Sequence, residues 1–222
     1  MKLPILVLLL MLSTIARTFA QNNAVAEDDK AKYIKTITER AEKIVVTLGI
    51  NDASKAEKVR NIIRDQYSNL NDIYTTRDAK LKEIKEKNKD DKAVRDTAVA
   101  KVNRNTDADL AKLHKKYINK LSANLTAEQI DLVKNGMTYN VLPITYKAYQ
   151  EEILTLTEEQ KKQILIWLTE AREHAIDAES SDKKHAWFGK YKGRINNYLS
   201  AAGYDLKKEG IEWEKRRKAK AN

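Results

Sequence analysis

Apolar residues recur every three or four positions along most of this chain, and almost nowhere do they alternate with polar ones. Tyr33, Ile34, Ile37, Ala41, Ile44, Val45 and Leu48 share one face of a helix expected from about Asp29 to Leu48, and Gly49 follows as a C′ stop. Asn51 or Asp52 can cap a second helix, with Ala56, Val59, Ile63, Leu70 and Tyr74 as its stripe. Beyond Thr76 the sequence is densely charged, and Asn88-Lys89-Asp90-Asp91 is the best turn. A third helix carries Val94, Ala98, Val102, Leu110, Leu113, Tyr117 and Leu121. Residues 52–122 therefore read as a long antiparallel helical hairpin. Its distal part is thin in apolar residues, and either projects from the body or bends near Asn103–Asp107.

Shorter elements follow. Thr126 starts a helix that Gly136 should end, and residues 137–144, with Pro143, read as loop. A brief helix spans about Tyr146 to Ile153. Thr157 opens another, with Ile164, Leu165, Leu168, Ala171, Ala175 and Ile176 on one face. Ser180 or Ser181 caps a helix ending before Gly203, and Asp205 opens a last one through Trp213 that frays from Lys215 to Asn222. The predicted fold is an all-α helical bundle with a long charged hairpin. It forms one domain over residues 29–214, with a basic tail at 215–222.

Composition narrows this picture. The 222 residues include no cysteine, so disulfides and thiol chemistry are excluded; six glycines and two prolines, with 33% charged residues, suit solvated helices rather than a turn-rich β fold. At the N-terminus, Lys2, the apolar run Leu3–Leu12 and Thr18-Phe19-Ala20 have the form of a signal peptide over residues 1–20, followed by a flexible lead at 21–28. Export to the periplasm or beyond the cell is therefore expected. Losing Lys2 and Arg17 would lower the formal charge from +10 to +8. For an exported chain that charge points to acidic glycans, anionic lipid or acidic protein rather than nucleic acid. No later apolar run has membrane length, so a soluble protein is expected.

The C-terminal third holds most of the aromatic residues: six tyrosines, three tryptophans and Phe188 from Met137 onward, against four tyrosines in residues 21–136. Trp187, Tyr191, Arg194 and Tyr198 fall on one helical stripe; Phe188, Ile195 and Leu199 form the next. Gly189 and Gly193 leave a bare strip beside them. Rings next to guanidinium and amide donors suit a sugar, whose C–H faces stack and whose hydroxyls hydrogen-bond. A core helix packed through its glycines explains the same spacing. The candidate binding residues are Trp187, Tyr191, Arg194, Asn197 and Tyr198, with Tyr139 and Tyr146 from the preceding segment, expected to border one pocket. No cofactor or metal is expected. His174 has Glu170 and Asp177 at i−4 and i+3, a spacing that solvated charge pairs explain equally.

Two segments, Leu125-Thr126-Ala127-Glu128-Gln129 and Leu156-Thr157-Glu158-Glu159-Gln160, have the form of capping boxes. They also resemble the LTxxQ-type periplasmic proteins, which include small helical stress chaperones, over those ten residues alone. A broader resemblance rests on Gly136-Met137-Thr138-Tyr139, Leu142-Pro143-Ile144-Thr145-Tyr146, Ala171-Arg172-Glu173 and the run Lys190 to Leu199. Together these are similar to a family of exported bacterial proteins of unknown function from glycan-foraging bacteria. That resemblance runs from the first helix to about Trp213 and implies sugar binding. The expected function is non-catalytic binding of a saccharide in glycan utilisation. The alternatives are a periplasmic chaperone-like or protein-interaction helical module, and a glycan-active enzyme with unassigned carboxylates.

Overall fold

The structure, a computed structural model, describes residues 27–221. The expected leader and residues 21–26 of the lead lie outside the described residues. Among those described there are eight helices and no strand. They are α1 (residues 27–46), α2 (Ala53–Lys87), α3 (Lys92–Ser122), α4 (Ala127–Met137), α5 (Val141–Glu152), α6 (Glu158–Ile176), α7 (Ser181–Ala201) and α8 (Leu206–Ala221). None of them is long and apolar enough to cross a membrane. The all-α bundle with its long hairpin is as expected.

Local chemistry sets the boundaries. Asp52 and Asp91 accept from Lys55 N and Val94 N, both at 3.0 Å, and so start the two arms of the hairpin. Thr126 and Thr157 each complete a reciprocal box with Gln129 and Gln160. Gln129 also donates to Leu48 O at 2.8 Å, closing the end of α1. Thr126→Ala and Thr157→Ala are each expected to cost about 0.5–2 kcal/mol in urea unfolding, because an amide loses its acceptor. A loss below a few tenths would mean that Ser- or Thr-specific capping contributes nothing there.

The bundle has two cores. The first joins α1 (Ala41, Ile44) and Leu48 just after it, the bases of α2 and α3 (Val59, Ile63, Tyr117, Leu121) and α4 (Val133, Met137). The second joins α5 (Leu142, Tyr149) and its capping residue Ile153, α6 (Ile164, Leu168, Ala171) and α7 (Phe188, Ile195, Leu199). The last residue of α6, Ile176, belongs to the first core, so α6 bridges the two. Across the seam, Arg172 of α6, 5% exposed, donates to Asn135 at 2.9 Å and to Asp131 at 2.7 Å on α4. Lys134 reaches Glu173 at 2.8 Å beside it.

Four boundaries differ from the sequence reading. Residues 27 and 28, expected in the lead, are already helical. Gly136 does not end α4; it lies inside the helix where α1 crosses, and a Cβ there would meet Ile44 Cγ1 at 2.7 Å. The expected loop over 137–144 shrinks to three residues, because α5 begins at Val141 and places Pro143 in its first turn, where a backbone N–H has no helical partner to lose. The last helix continues through the expected fraying zone. Arg216 holds it by donating to Glu151 O and Glu152 O, both at 2.9 Å, at the end of α5.

The hairpin is uneven along its length. Buried residues of α2 stop at Leu70, and those of α3 begin at Thr106. Between them Leu81, Ile84, Ala98, Val99 and Val102 are only half-buried. Helix α3 is unbroken through residues 103–107.

Candidate functional site

Asp177, which caps the end of α6, organises the junction of hairpin and C-terminal helices. It pairs with His114 Nδ1 at 2.6 Å and accepts from Gln66 at 3.3 Å, while Tyr74 donates to its backbone carbonyl at 2.7 Å. Lys184 of α7 is 6% exposed and donates to Ala175 O at 3.0 Å and Ile176 O at 2.9 Å, satisfying the last carbonyls of α6. Burial pushes its ammonium down to about 8, and the charge of Arg40 adds to that.

The hydrogen bond that His114 makes to Asp177 raises the imidazole above its ordinary value. A base raised on folding contributes stability that is complete below its unfolded value of about 6.5 and is lost as pH climbs through the folded value. Comparing His114→Asn with the parent in urea at pH 6 and pH 9 should therefore show the larger deficit at pH 6. An equal deficit at both would mean that the charge of the pair adds nothing.

Above this junction opens a cleft of roughly 680 Å³. α1 supplies Tyr33, Arg40 and Lys43, α2 supplies Tyr67, Asn71 and Tyr74, and the α4–α5 turn supplies Tyr139 and Asn140. Residues 178–181 and Lys184 form its far wall. Tyr33 donates to Tyr67 O at 3.1 Å. Tyr67 is pushed up to about 12 by burial, so its phenol is neutral. Among the described residues its hydroxyl donates to no protein acceptor.

Tyr139 sits at the lip under unusual backbone conditions. Asn140 N bonds Asn135 O at 2.8 Å and Tyr139 N reaches Gly136 O at 3.4 Å, the two bonds of a Schellman motif. Glycine is the usual residue at the left-handed position of that motif. Here Tyr139 has φ +58° and Asn140 follows at φ +55°. A bulky residue held there costs about 1 kcal/mol or more. The ring is 47% exposed and stacks on His185, centroids 5.4 Å apart.

The other expected site residues lie elsewhere. Trp187 stacks on His174 at 4.3 Å and lines a neighbouring pocket with Asp107, Glu173 and Glu179. Arg194 lies 4.5 Å over the Trp167 ring and 3.7 Å from Glu170. Tyr198 meets the same Trp167 edge-on at 5.2 Å. Tyr191 approaches His174 at 6.2 Å. These four therefore overlie α6. Asn197 is exposed, and Tyr146 packs against the second core. Only Tyr139 of the seven lines the large cleft. The His174, Glu170 and Asp177 spacing is likewise divided among separate partners, and among the described residues no cluster of three metal-ligating side chains forms.

The sequence reading missed Tyr33, Arg40, Tyr67, Tyr74 and Lys184. A signal was present: Tyr33 and Arg40 are seven apart on α1, Tyr67 and Tyr74 are seven apart on α2, and Lys184 falls on the apolar stripe of Phe188, Ile195 and Leu199. A lysine in register with a core stripe is either partnered or functional.

No curated protein matches the chain. A family profile described as protein of unknown function, DUF3826, matches residues 34–219, which takes in every wall of the cleft except Tyr33. The chain belongs to that family.

Proposed function

We propose that this protein is an exported, non-catalytic saccharide-binding protein and that the sugar occupies the cleft between α1, α2, the α4–α5 turn and the start of α7. The convergence of four tyrosines from three separate elements on one concavity carries this reading. Sugar rings offer C–H faces to aromatic faces and hydroxyls to amide, phenol and guanidinium groups, and Asn71, Asn140, Tyr67 and Arg40 supply such groups here. The strained placement of Tyr139 supports it further, since a residue kept at a glycine position against its own backbone preference marks a task other than folding.

Tyr139→Gly separates the two roles. Folding stability should stay within about 1 kcal/mol of the parent or rise, because glycine relieves the left-handed strain. Affinity for an oligosaccharide identified on a glycan array should fall about tenfold, equivalent to ~1.4 kcal/mol. The measurements are calorimetric titration and urea unfolding of the chain from Gln21 onward. An array with no saccharide bound would sink the reading. Binding that ignores Tyr139→Gly but is lost in Arg194→Ala would place the sugar on the α7 stripe instead.

A further inference from the structure

The walls of the cleft are unevenly charged. Arg40 and Lys43 sit one turn apart on α1 and both face it, with Lys184 opposite on α7. The one carboxylate on its lining, Glu179, is engaged by Arg77. Among the described residues Arg40 and Lys43 pair with no carboxylate. Arg40 is exposed but lines the cleft, close enough to Tyr33, Tyr67 and Lys184 for its charge to act on all three. Lys184 has three N–H donors and spends two on the carbonyls of α6, leaving one. Asp177, behind the lining, also acts on Lys184, but its carboxylate is taken by His114 and Gln66; the three cations still repel one another, and an incoming anion relieves that repulsion.

Resting on the saccharide reading above, we propose that the ligand is an acidic saccharide whose carboxylate or sulfate group sits between Arg40, Lys43 and Lys184 while its ring faces meet the tyrosines. A guanidinium offers a fork that matches either group, and the two ammonium groups add point charges beside it. The anionic substituent thereby supplies selection between glycans, and the aromatic wall supplies contact area.

The test uses the chain from Gln21 onward in 0.15 M NaCl, where loose charge attraction is screened. Titrations compare a neutral oligogalactoside, an oligogalacturonate and a sulfated galactan fragment of matched length. One or both acidic ligands should bind at least about tenfold more tightly than the neutral one, the scale of one charged hydrogen bond. Whichever does so identifies the group. Arg40→Ala with Lys43→Ala should erase that advantage, lowering acidic binding at least about tenfold more than neutral binding, and leave the melting temperature unchanged, since both side chains are exposed. Lys115→Ala with Lys116→Ala, an equal loss of charge on α3 outside the cleft, should leave the advantage intact. Equal affinity for acidic and neutral ligands overturns the proposal and leaves saccharide binding standing. So does an advantage lost as much in the α3 variant, which would make it general attraction to a basic protein. Failure of all three ligands, with an empty glycan array, removes both readings together.

Discussion

Phe188→Ala should lower stability by about 3–5 kcal/mol in urea unfolding, the largest effect expected of any single change in this chain. The ring is 1% exposed at the centre of the second core, among Leu168, Ala171, Ile195 and Leu199. Alanine removes its apolar area from the buried set and leaves a void that helices on both sides can only partly close. Trp187, its neighbour in sequence, is half-buried against His174, and its loss should cost less. A Phe188→Ala chain within 1 kcal/mol of the parent would show that α6 and α7 repack freely.

Arg172→Ala comes second, at about 2–3 kcal/mol in the same measurement. Truncation removes two hydrogen bonds from α6 to α4, one to the adjacent Glu173, and a buried stem. The figure sits below that of a fully buried ion pair because Asp131 is 61% exposed and water can rehydrate it. Arg172→Lys should recover little of the loss. An ammonium cannot reach Asn135, Asp131 and Glu173 in the plane that the guanidinium spans. Full recovery by lysine would mean that charge alone holds the seam.

Helix positions followed from periodicity because nearly every buried residue here lies on a stripe. Ile37, Ala41, Ile44 and Leu48 bury as their spacing demands, and so do Phe188, Ile195 and Leu199. Boundaries failed where tertiary contact overrode local preference. Gly136 reads as a stop by itself, but Ile44 needs the missing side chain, so the helix runs on for one more residue. Pro143 reads as a breaker, but in a first turn it breaks nothing.

The candidate site was less legible, for a geometric reason. A stripe such as Trp187, Tyr191, Arg194 and Tyr198 shows that four side chains share a face without showing what that face meets. It meets α6, through Trp167 and His174. The cleft instead draws residues from four places separated by up to 151 positions, Tyr33 to Lys184, and no local pattern links them. Tyr139 was found from a resemblance; its left-handed backbone could not be read from residue type, since tyrosine is a poor choice there.

The thin outer half of the hairpin has a practical use. Its tip, Asn88 to Asp91, stands about 20 Å along the axis of α2 from Tyr74 at the cleft edge, at 1.5 Å per residue. Nothing in residues 71–105 is fully buried, so the tip can carry inserted sequence without disturbing either core. A fluorophore or affinity handle grafted there would leave both chain ends and the cleft untouched. The protein could then be immobilised through a point about 20 Å from the cleft edge.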